Sequence, residues 1–399
     1  MIVGVPKELF PGETRVAMIP DLVPMLKKRG IEVIVEKDAG FGAGHLDKVY
    51  EEKGATIAAS RDDLFQKADI IVQVRAFGGD EDASKEDLGR MKAGQLICGQ
   101  SDSLGNAEKS KDFAEKKVNL FSMELIPRIT RAQSMDVLSS QANLAGFKAV
   151  LLGAVELPKI FPMMMTAAGT IAPSKVFVIG AGVAGLSAIA TAKRLGAVVH
   201  AFDVRPEVKE QIESLGGKFV EVELDTSEAK GEGGYAKEQS EEFLKKQREL
   251  MAKVVAESDV VITTAAIPGR KSPVLVTADM VKAMHPGSVI IDLASERGGN
   301  CELTEHAKEI VVHDVKIIGP ANIVATVATN ASQMYAKNIQ TLLFHFIDKE
   351  GNFKLDMDDE ITGGAMVVMD GEIVHPRVRD ILGMPAQASP AKPNDEKEA

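Results

Sequence analysis

The stretch Lys175–Arg205, KVFVIGAGVAGLSAIATAKRLGAVVHAFDVR, constrains the fold more than any other segment of the sequence. Val176–Ile179 is a short, wholly apolar run, the pattern of a strand covered on both faces. It leads into Gly180-Ala-Gly182-Val183-Ala184-Gly185 and then into Leu186–Leu195, which reads as a helix. A second apolar run, Val198–Phe202, ends in Asp203, 23 residues after Gly180. Strand, glycine turn, helix and second strand make a parallel βαβ unit. In such a unit the first glycine permits the tight turn, the second lets backbone approach a pyrophosphate, and the third lets the helix pack on the strand. Free N–H groups and the positive dipole end of the helix favour phosphates. Asp203 can accept hydrogen bonds from a ribose diol and would repel a 2′-phosphate, which favours NAD(H) over NADP(H). Arg205, two residues on, is the one feature that could favour a 2′-phosphate. Glycines alone also serve plain turns; the spacing of the whole unit makes Gly180, Gly182, Val183, Ala184, Gly185, Asp203, Val204 and Arg205 candidate cofactor-binding residues.

The rest of the chain extends this pattern on both sides. Ile2–Val5, Glu32–Val35, Ile70–Val74, Gln95–Cys98 and Asn119–Ser122 read as strands, with Asp21–Arg29 and Asp62–Lys67 as helices between them. A second series adds Lys218–Val222, Val260–Thr263, Val289–Leu293 and Lys316–Ile318. Alternation of this kind predicts an α/β fold with two Rossmann-like parallel-sheet domains. Two long helical patterns separate the series, one from about Met135 into Leu157, the other from about Ala331 to Ile347 with Asn330 as its N-cap. The first domain is thus expected to be discontinuous, residues 1–137 and 329–399, with a disordered tail from about 385. Residues 138–328 form the expected NAD(H)-binding domain, and the cleft is expected between the two. Strand ends should face one crevice, so Thr264 and Ala265, and the segments Asp292–Asn300 and Gly319–Asn322, are candidate contacts. The stretch of about 225–239 exceeds an ordinary connection and is glycine-rich, which suggests a mobile loop with Gly234 and Tyr235 closing over nucleotide. Met163–Met165 reads as packing at the domain junction.

Composition excludes several alternatives. The 399 residues carry 47 Lys and Arg against 58 Asp and Glu, a net charge of −11, which disfavours non-specific nucleic-acid binding. Cys98 and Cys301 are the only cysteines, too few for a disulfide scaffold or a cysteine zinc site. The seven histidines are scattered without an HxxxH pair, so no metal site is expected. The longest uncharged apolar run, Val176–Ala192, is shorter than a spanning helix requires and is broken by glycines, so no direct membrane insertion is expected. The N-terminus lacks the pattern of a cleaved signal peptide.

With these residues in hand, the chain resembles the alanine dehydrogenase and pyridine nucleotide transhydrogenase family. The likeness runs from Val5-Pro-Lys-Glu8 and Pro11-Gly12-Glu13-x-Arg15-Val16-Ala17 to His375-Pro376. Within the family it looks most like the NAD(H)-binding domain I of proton-translocating transhydrogenases. Four segments carry this closer likeness: Pro127–Asp136, Phe161–Thr170, Gly233–Glu238, and Asp292-Leu-Ala with Gly298-Gly-Asn300. The resemblance implies a loop in which Arg128, Gln133 and Asp136 stand beside the nicotinamide as catalytic residues. Ser139, next to Asp136, is a weaker candidate for cofactor contact. It further implies direct hydride transfer from NADH on this chain to NADP⁺ on a separate domain III, coupled to proton movement through membrane-domain subunits. A homodimer, cytoplasmic and peripheral at the inner face of the cell membrane through those partners, follows from the same likeness.

Two other readings compete: a soluble NAD-dependent alanine dehydrogenase, and a non-catalytic NAD(H)-sensing module. Alanine dehydrogenase resembles this chain in Arg15, which would hold a substrate carboxylate. It also needs a lysine near the third strand and a histidine after the fourth. Here those stretches read Ile70-Ile-Val-Gln73-Val-Arg75 and Leu96-Ile-Cys98-Gly99-Gln100-Ser101. Gln and Gly cannot move the proton that a 2-oxo acid reaction requires.

Overall fold

The computed structural model describes residues 1–79, 82–221, 241–266 and 269–385, without the side chains of 241–245. Gly234, Tyr235, the rest of the expected loop at 225–239, and the tail after 385 lie outside the described residues. The chain divides into two compact units, Met1–Leu138 with Ala328–Ala399, and Ser139–Val327.

Unit 1 begins with six parallel strands: β1 (Ile2–Val5), β2 (Glu32–Val35), β3 (Thr56–Ile57), β4 (Ile70–Arg75), β5 (Leu96–Gln100) and β6 (Asn119–Ser122). The chain then enters unit 2 through the helix Val137–Glu156. There it forms a hairpin, β7 (Met164–Thr166) and β8 (Gly169–Ile171), followed by β9 (Lys175–Ile179), β10 (Val198–Phe202), β11 (Lys218–Phe219), β12 (Val260–Thr263), β13 (Val289–Asp292), β14 (Lys308–Val312) and β15 (Val315–Gly319). It returns through the helix Ala328–Phe346 and closes unit 1 with β16 (Met366–Met369) and β17 (Glu372–Ile373).

The sheet of unit 1 has the order β17-β16-β6-β5-β4-β1-β2-β3, in which β16 and β17 are antiparallel. The sheet of unit 2 has the order β11-β10-β9-β12-β13-β15-β14, parallel except for the edge strand β14. Both are Rossmann-like. In unit 2 the strands β9, β10 and β11 run outward one way, while β12 starts the other way from β9. Ligands of such sheets bind outside the carboxyl ends of the strands at this switch point. The residues there are Ile179–Gly180 and Thr263–Thr264.

The central strands are legible because they are dry. Val176, Phe177, Val178, Ile179, Val260, Val261, Ile262, Val289, Ile290 and Ile291 are all fully buried, as strands covered on both faces require. The returning helix shows the helical period in Tyr335, Ile339, Leu342, Leu343 and Phe346, all buried in the core of unit 1. Phe346 meets Phe121 edge-on at 5.2 Å, and the Tyr335 hydroxyl donates to Gln73 O at 2.8 Å.

Several boundaries differ from the sequence reading. The returning helix starts at Ala328, directly after a 3₁₀ turn at Ile323–Val327, so Asn330 lies within its first turn rather than capping it. The entry helix starts at Val137, because Thr130–Met135 forms a 3₁₀ turn instead. Asp21–Arg29 resolves into a 3₁₀ turn, Pro20–Leu22, and a short helix, Val23–Lys27. The strand expected at Lys218–Val222 shrinks to Lys218–Phe219. Met163–Met165 does not pack: these residues are 60%, 45% and 76% exposed on and beside the β7–β8 hairpin.

The entry helix touches the βαβ unit at one crowded point. A methyl group built on Gly146 would overlap the backbone carbonyl of Ala184. Neither backbone can yield without moving the helix that follows Gly182. Gly146→Ala is therefore expected to destabilise the chain by about 1–3 kcal/mol, the usual range for overpacking. Urea denaturation checks this; an unchanged midpoint would show that the helices separate freely.

Candidate functional site

The turn after β9 is built as the sequence requires. Gly180 has φ of +100°, a region that residues with a Cβ rarely enter. A methyl on Gly185 would collide with the carbonyl oxygen of Gly180, so the helix Val183–Arg194 can sit this close only with glycine there. Gly182 precedes that helix with no side-chain cap, which leaves the N–H groups of the first turn to another acceptor. A methyl on Gly182 would meet nothing within 4 Å, so the backbone there opens onto free space. The helix ends with Lys193 and Arg194 in its last turn, complementing its dipole.

Asp203 closes the unit from the neighbouring strand. Its Oδ2 accepts from the Ala181 N–H at 2.7 Å, within the glycine turn. Its Oδ1 accepts from the Arg205 N–H at 2.9 Å and Nε at 3.0 Å, and Oδ2 from Arg205 Nη2 at 3.1 Å. Burial pushes its pKa up, but the Arg205 side chain and the two backbone N–H groups more than offset this, and the carboxyl stays below its ordinary value. The group is therefore an ionised acceptor already oriented at the end of β10. Val204 beside it is 72% exposed.

The end of β12 lies against the same turn. The Thr264 N–H donates to Ile179 O at 2.9 Å, and its hydroxyl to Gly180 O at 3.0 Å. Gly180, Gly182, Val183, Ala184, Gly185, Asp203, Val204, Arg205, Thr264 and Ala265 thus share one sheet edge in unit 2. An uncapped helix start, open space at Gly182 and an oriented carboxylate fit a dinucleotide. The residues that would hold it are the N–H groups at Val183–Gly185 for the phosphates and Asp203 for a ribose diol. Ser139 also belongs to unit 2, at the start of the entry helix.

Asp292 and Asn300, read from the sequence as lining, are wholly buried. They lie inside unit 2 and cannot themselves line a crevice.

Arg128, Gln133 and Asp136 belong to unit 1. Arg128 and Gln133 are exposed and Asp136 is half-buried. The 3₁₀ turn Thr130–Met135 that carries Gln133 is held firmly. Ala132 and Met135 are buried, Arg131 pairs with Asp359 at 2.6 Å, and Asn338 Nδ2 donates to Ser134 O at 2.8 Å. The Gln133 side chain is thus presented from a fixed base.

The corresponding edge of unit 1 holds a different arrangement. Arg15 is gripped by Glu13 through two bonds, Nε at 2.7 Å and Nη2 at 2.6 Å, and both side chains are at most 4% exposed. Glu8 accepts from the N–H groups of Val74 at 2.6 Å and Arg75 at 3.0 Å. A cavity of about 190 Å³ is lined by Glu8, Glu13 and Arg15 with neighbours from Lys7 to Gly42. Gln73 is buried, and no histidine or lysine side chain occurs in β4 or β5. Among the described residues no group of three His, Cys, Asp or Glu side chains could hold a metal ion, and no helix is long and apolar enough to cross a membrane.

A site of this kind defines a dinucleotide-binding class of protein. The family model described as alanine dehydrogenase/PNT, C-terminal domain, matches residues 149–376, and that of the N-terminal domain matches residues 4–145. The chain belongs to this family, which is one of oxidoreductases. It is similar to the first section of NAD(P) transhydrogenase subunit alpha of Rhodospirillum rubrum, 49% identical over 378 residues, or 94% of this chain and 98% of that one. NAD(P) transhydrogenase subunit alpha of Haemophilus influenzae is 43% identical across 100% of this chain and 76% of its own. The crystal structure of transhydrogenase from Sinorhizobium meliloti matches with a TM-score of 0.81 and 43% identity, covering 94% of this chain and 99% of that one.

Two outcomes test the site. Asp203→Ser should weaken NADH binding roughly 10- to 100-fold, since hydrogen bonds to a charged group are worth about 1.5–3 kcal/mol. It should also release Arg205 toward a 2′-phosphate, so that NADPH gains while NADH loses; parallel losses for both would contradict the assignment.

Burial, then the neighbouring Glu13 charge, pushes Glu8 from 4.5 up to about 8, against the lowering bonds from Val74 and Arg75. Between those values the native state keeps a proton that the unfolded chain has released, so stability falls as pH rises through the window. Urea midpoints from about pH 4.5 to about pH 8 should fall more steeply in the native chain than in Glu8→Gln. Parallel curves would show that Glu8 ionises freely.

Proposed function

We propose that this chain is the NAD(H)-binding subunit of a proton-translocating transhydrogenase. Bound NADH would supply a hydride to NADP⁺ held on a partner domain III. The chain's own contribution is positioning: Asp203 and the helix start hold the ribose and phosphates, and Gln133, with Arg128 and Asp136, orients the nicotinamide end. A glutamine amide suits that role because it carries both a donor and an acceptor. No side chain needs to move a proton, since hydride transfer between two nicotinamide rings requires only near-attack geometry. Gly234 and Tyr235 are assigned to closure over the nucleotide, and Ser139, Val183, Ala184, Val204, Thr264 and Ala265 to its contacts.

The observation that carries this reading is the contrast between the two sheet edges. The edge of unit 2 offers an open glycine turn and an ionised acceptor. In unit 1, Glu13 already occupies the Arg15 fork, and β4 and β5 lack the lysine and histidine that alanine dehydrogenase chemistry needs. Alanine dehydrogenase activity and simple NAD(H) sensing are the alternatives. Likeness to a named subunit along 98% of its length favours the transhydrogenase.

Proton coupling would belong to membrane-domain partner subunits, and the chain would lie at the inner face of the cell membrane through them. A homodimer belongs to the same reading. The hairpin region from Ile160 to Ser174 has no charged residue and exposes Met163, Met164, Met165 and Ile171. Interface cores are depleted in charge in this way.

Mixing the pure chain with a heterologous domain III and NADP(H), and following reduction of an NAD analogue, should give turnover only in the mixture. NADH oxidation dependent on pyruvate and ammonium by the chain alone would support the dehydrogenase, and activity in neither assay the sensing module. In the mixture, Gln133→Asn should slow single-turnover hydride transfer more than it weakens NADH binding. An unchanged single-turnover rate would remove Gln133 from its assigned role.

A further inference from the structure

The buried pair Asp292 and Asn300 has no place in the chemistry above, yet it forms the densest polar network described in unit 2. Thr263 and Asp292 are register partners at the ends of β12 and β13. Asp292 Oδ1 accepts from the Thr263 hydroxyl at 2.8 Å and the Ala294 N–H at 3.0 Å. Its Oδ2 accepts from the N–H groups of Asn300 at 2.8 Å and Cys301 at 2.9 Å and from the Thr304 hydroxyl at 2.7 Å. A carboxylate wholly buried among five donors is a fixed anchor, and it sets the backbone at Asn300. Gly299 brings the chain there at φ of +79°, and a methyl on it would lie 2.7 Å from Asp292 Oδ2.

Asn300 then reaches back to β12. Its Oδ1 accepts from the Ala265 N–H at 2.9 Å, and its Nδ2 donates to Ala265 O at 2.8 Å and to Pro273 O at 2.8 Å. One amide thus binds both peptide groups of the residue that follows Thr264, and also the residue at the far end of the turn. Ala265 in turn crowds the glycine motif, with its nitrogen 3.3 Å from where a Gly180 Cβ would stand.

We propose that Asn300 is a positioning residue for nucleotide binding: it fixes the Ala265 peptide against the Gly180 turn and so sets the wall of the crevice at the β12 end. This rests on the reading of that edge as the NAD(H) site. The residue touches no nucleotide and acts only through Ala265.

The test separates positioning from mere stability. Asn300→Asp is nearly isosteric but replaces the donor that serves Ala265 O and Pro273 O with an acceptor. Thr304→Val removes a donor from the same Asp292 anchor without touching Ala265. Both variants are expected to melt at lower temperature than the native chain. At a temperature where all are folded, NADH fluorescence titration should give binding about tenfold or more weaker for Asn300→Asp and within about twofold of native for Thr304→Val. Native-like affinity in Asn300→Asp, or equal losses in both variants, would overturn the proposal. If Asn300→Asp does not fold, hydrogen exchange on the native chain decides: NADH should slow exchange of the Ala265 amide, and unchanged exchange would contradict the role. A native chain that binds no NADH would overturn the parent reading, whereas native binding retained in Asn300→Asp overturns this one alone.

Discussion

The organisation of unit 2 depends on the contact between the Asp203 carboxylate and the Ala181 N–H. It joins the end of β10 to the glycine turn after β9, and so fixes the start of the following helix relative to an ionised acceptor. Arg205 keeps that carboxylate charged while lying beside it. Anion-binding backbone and a diol-binding side chain are thereby set at one sheet edge before any ligand arrives, which lowers the ordering cost of binding. The rest of unit 2 serves this geometry. The crowded contact of Gly146 with Ala184 holds the helix from one side, and the Asp292–Asn300 network holds the end of β12 from the other.

The two units repeat one architecture with opposite outcomes. Each has a parallel sheet that starts in the middle and runs outward in both directions, and each therefore has a switch point. In unit 2 the switch point is left to backbone N–H groups and open space. In unit 1 the same region is filled by Glu8, Glu13 and Arg15, whose charges satisfy one another under near-complete burial. A guanidinium already forked to a carboxylate has little left to offer a substrate carboxylate. A fold shared with alanine dehydrogenases therefore does not carry their chemistry over, since function lies in the site and not in the architecture.

Much of the fold can be read from the sequence because its central strands are dry and its glycine turn is sterically compulsory. Val176–Ile179 and Val260–Thr263 announce themselves as unbroken apolar runs. Edge elements do not: Lys308–Val312 mixes exposed and half-buried residues, Thr56–Ile57 is two residues long, and β16 exists only by pairing with β6 far back in the chain. The start of the returning helix escapes the pattern because a 3₁₀ turn feeds it without a capping residue. Met163–Met165 reads as core because methionine usually is, and no local pattern shows that the hairpin stands clear of its own unit. At the site, the residue types are legible but their partners are not. Asp203 meets Ala181, and Asn300 meets Ala265 across 35 residues; such contacts follow from strand order, which periodicity does not encode.

The account rests on unit 2 holding one NADH through a preset anion site and an ionised diol acceptor. The chain contains no tryptophan, so the fluorescence of the reduced nicotinamide can be followed without energy transfer from indole. Equilibrium titration with NADH and, separately, NADPH tests the claim most directly. Saturable binding of one NADH per chain, with NADPH weaker by about tenfold or more, is the predicted result. Equal affinity for the two nucleotides, or no saturable binding of NADH, would contradict it.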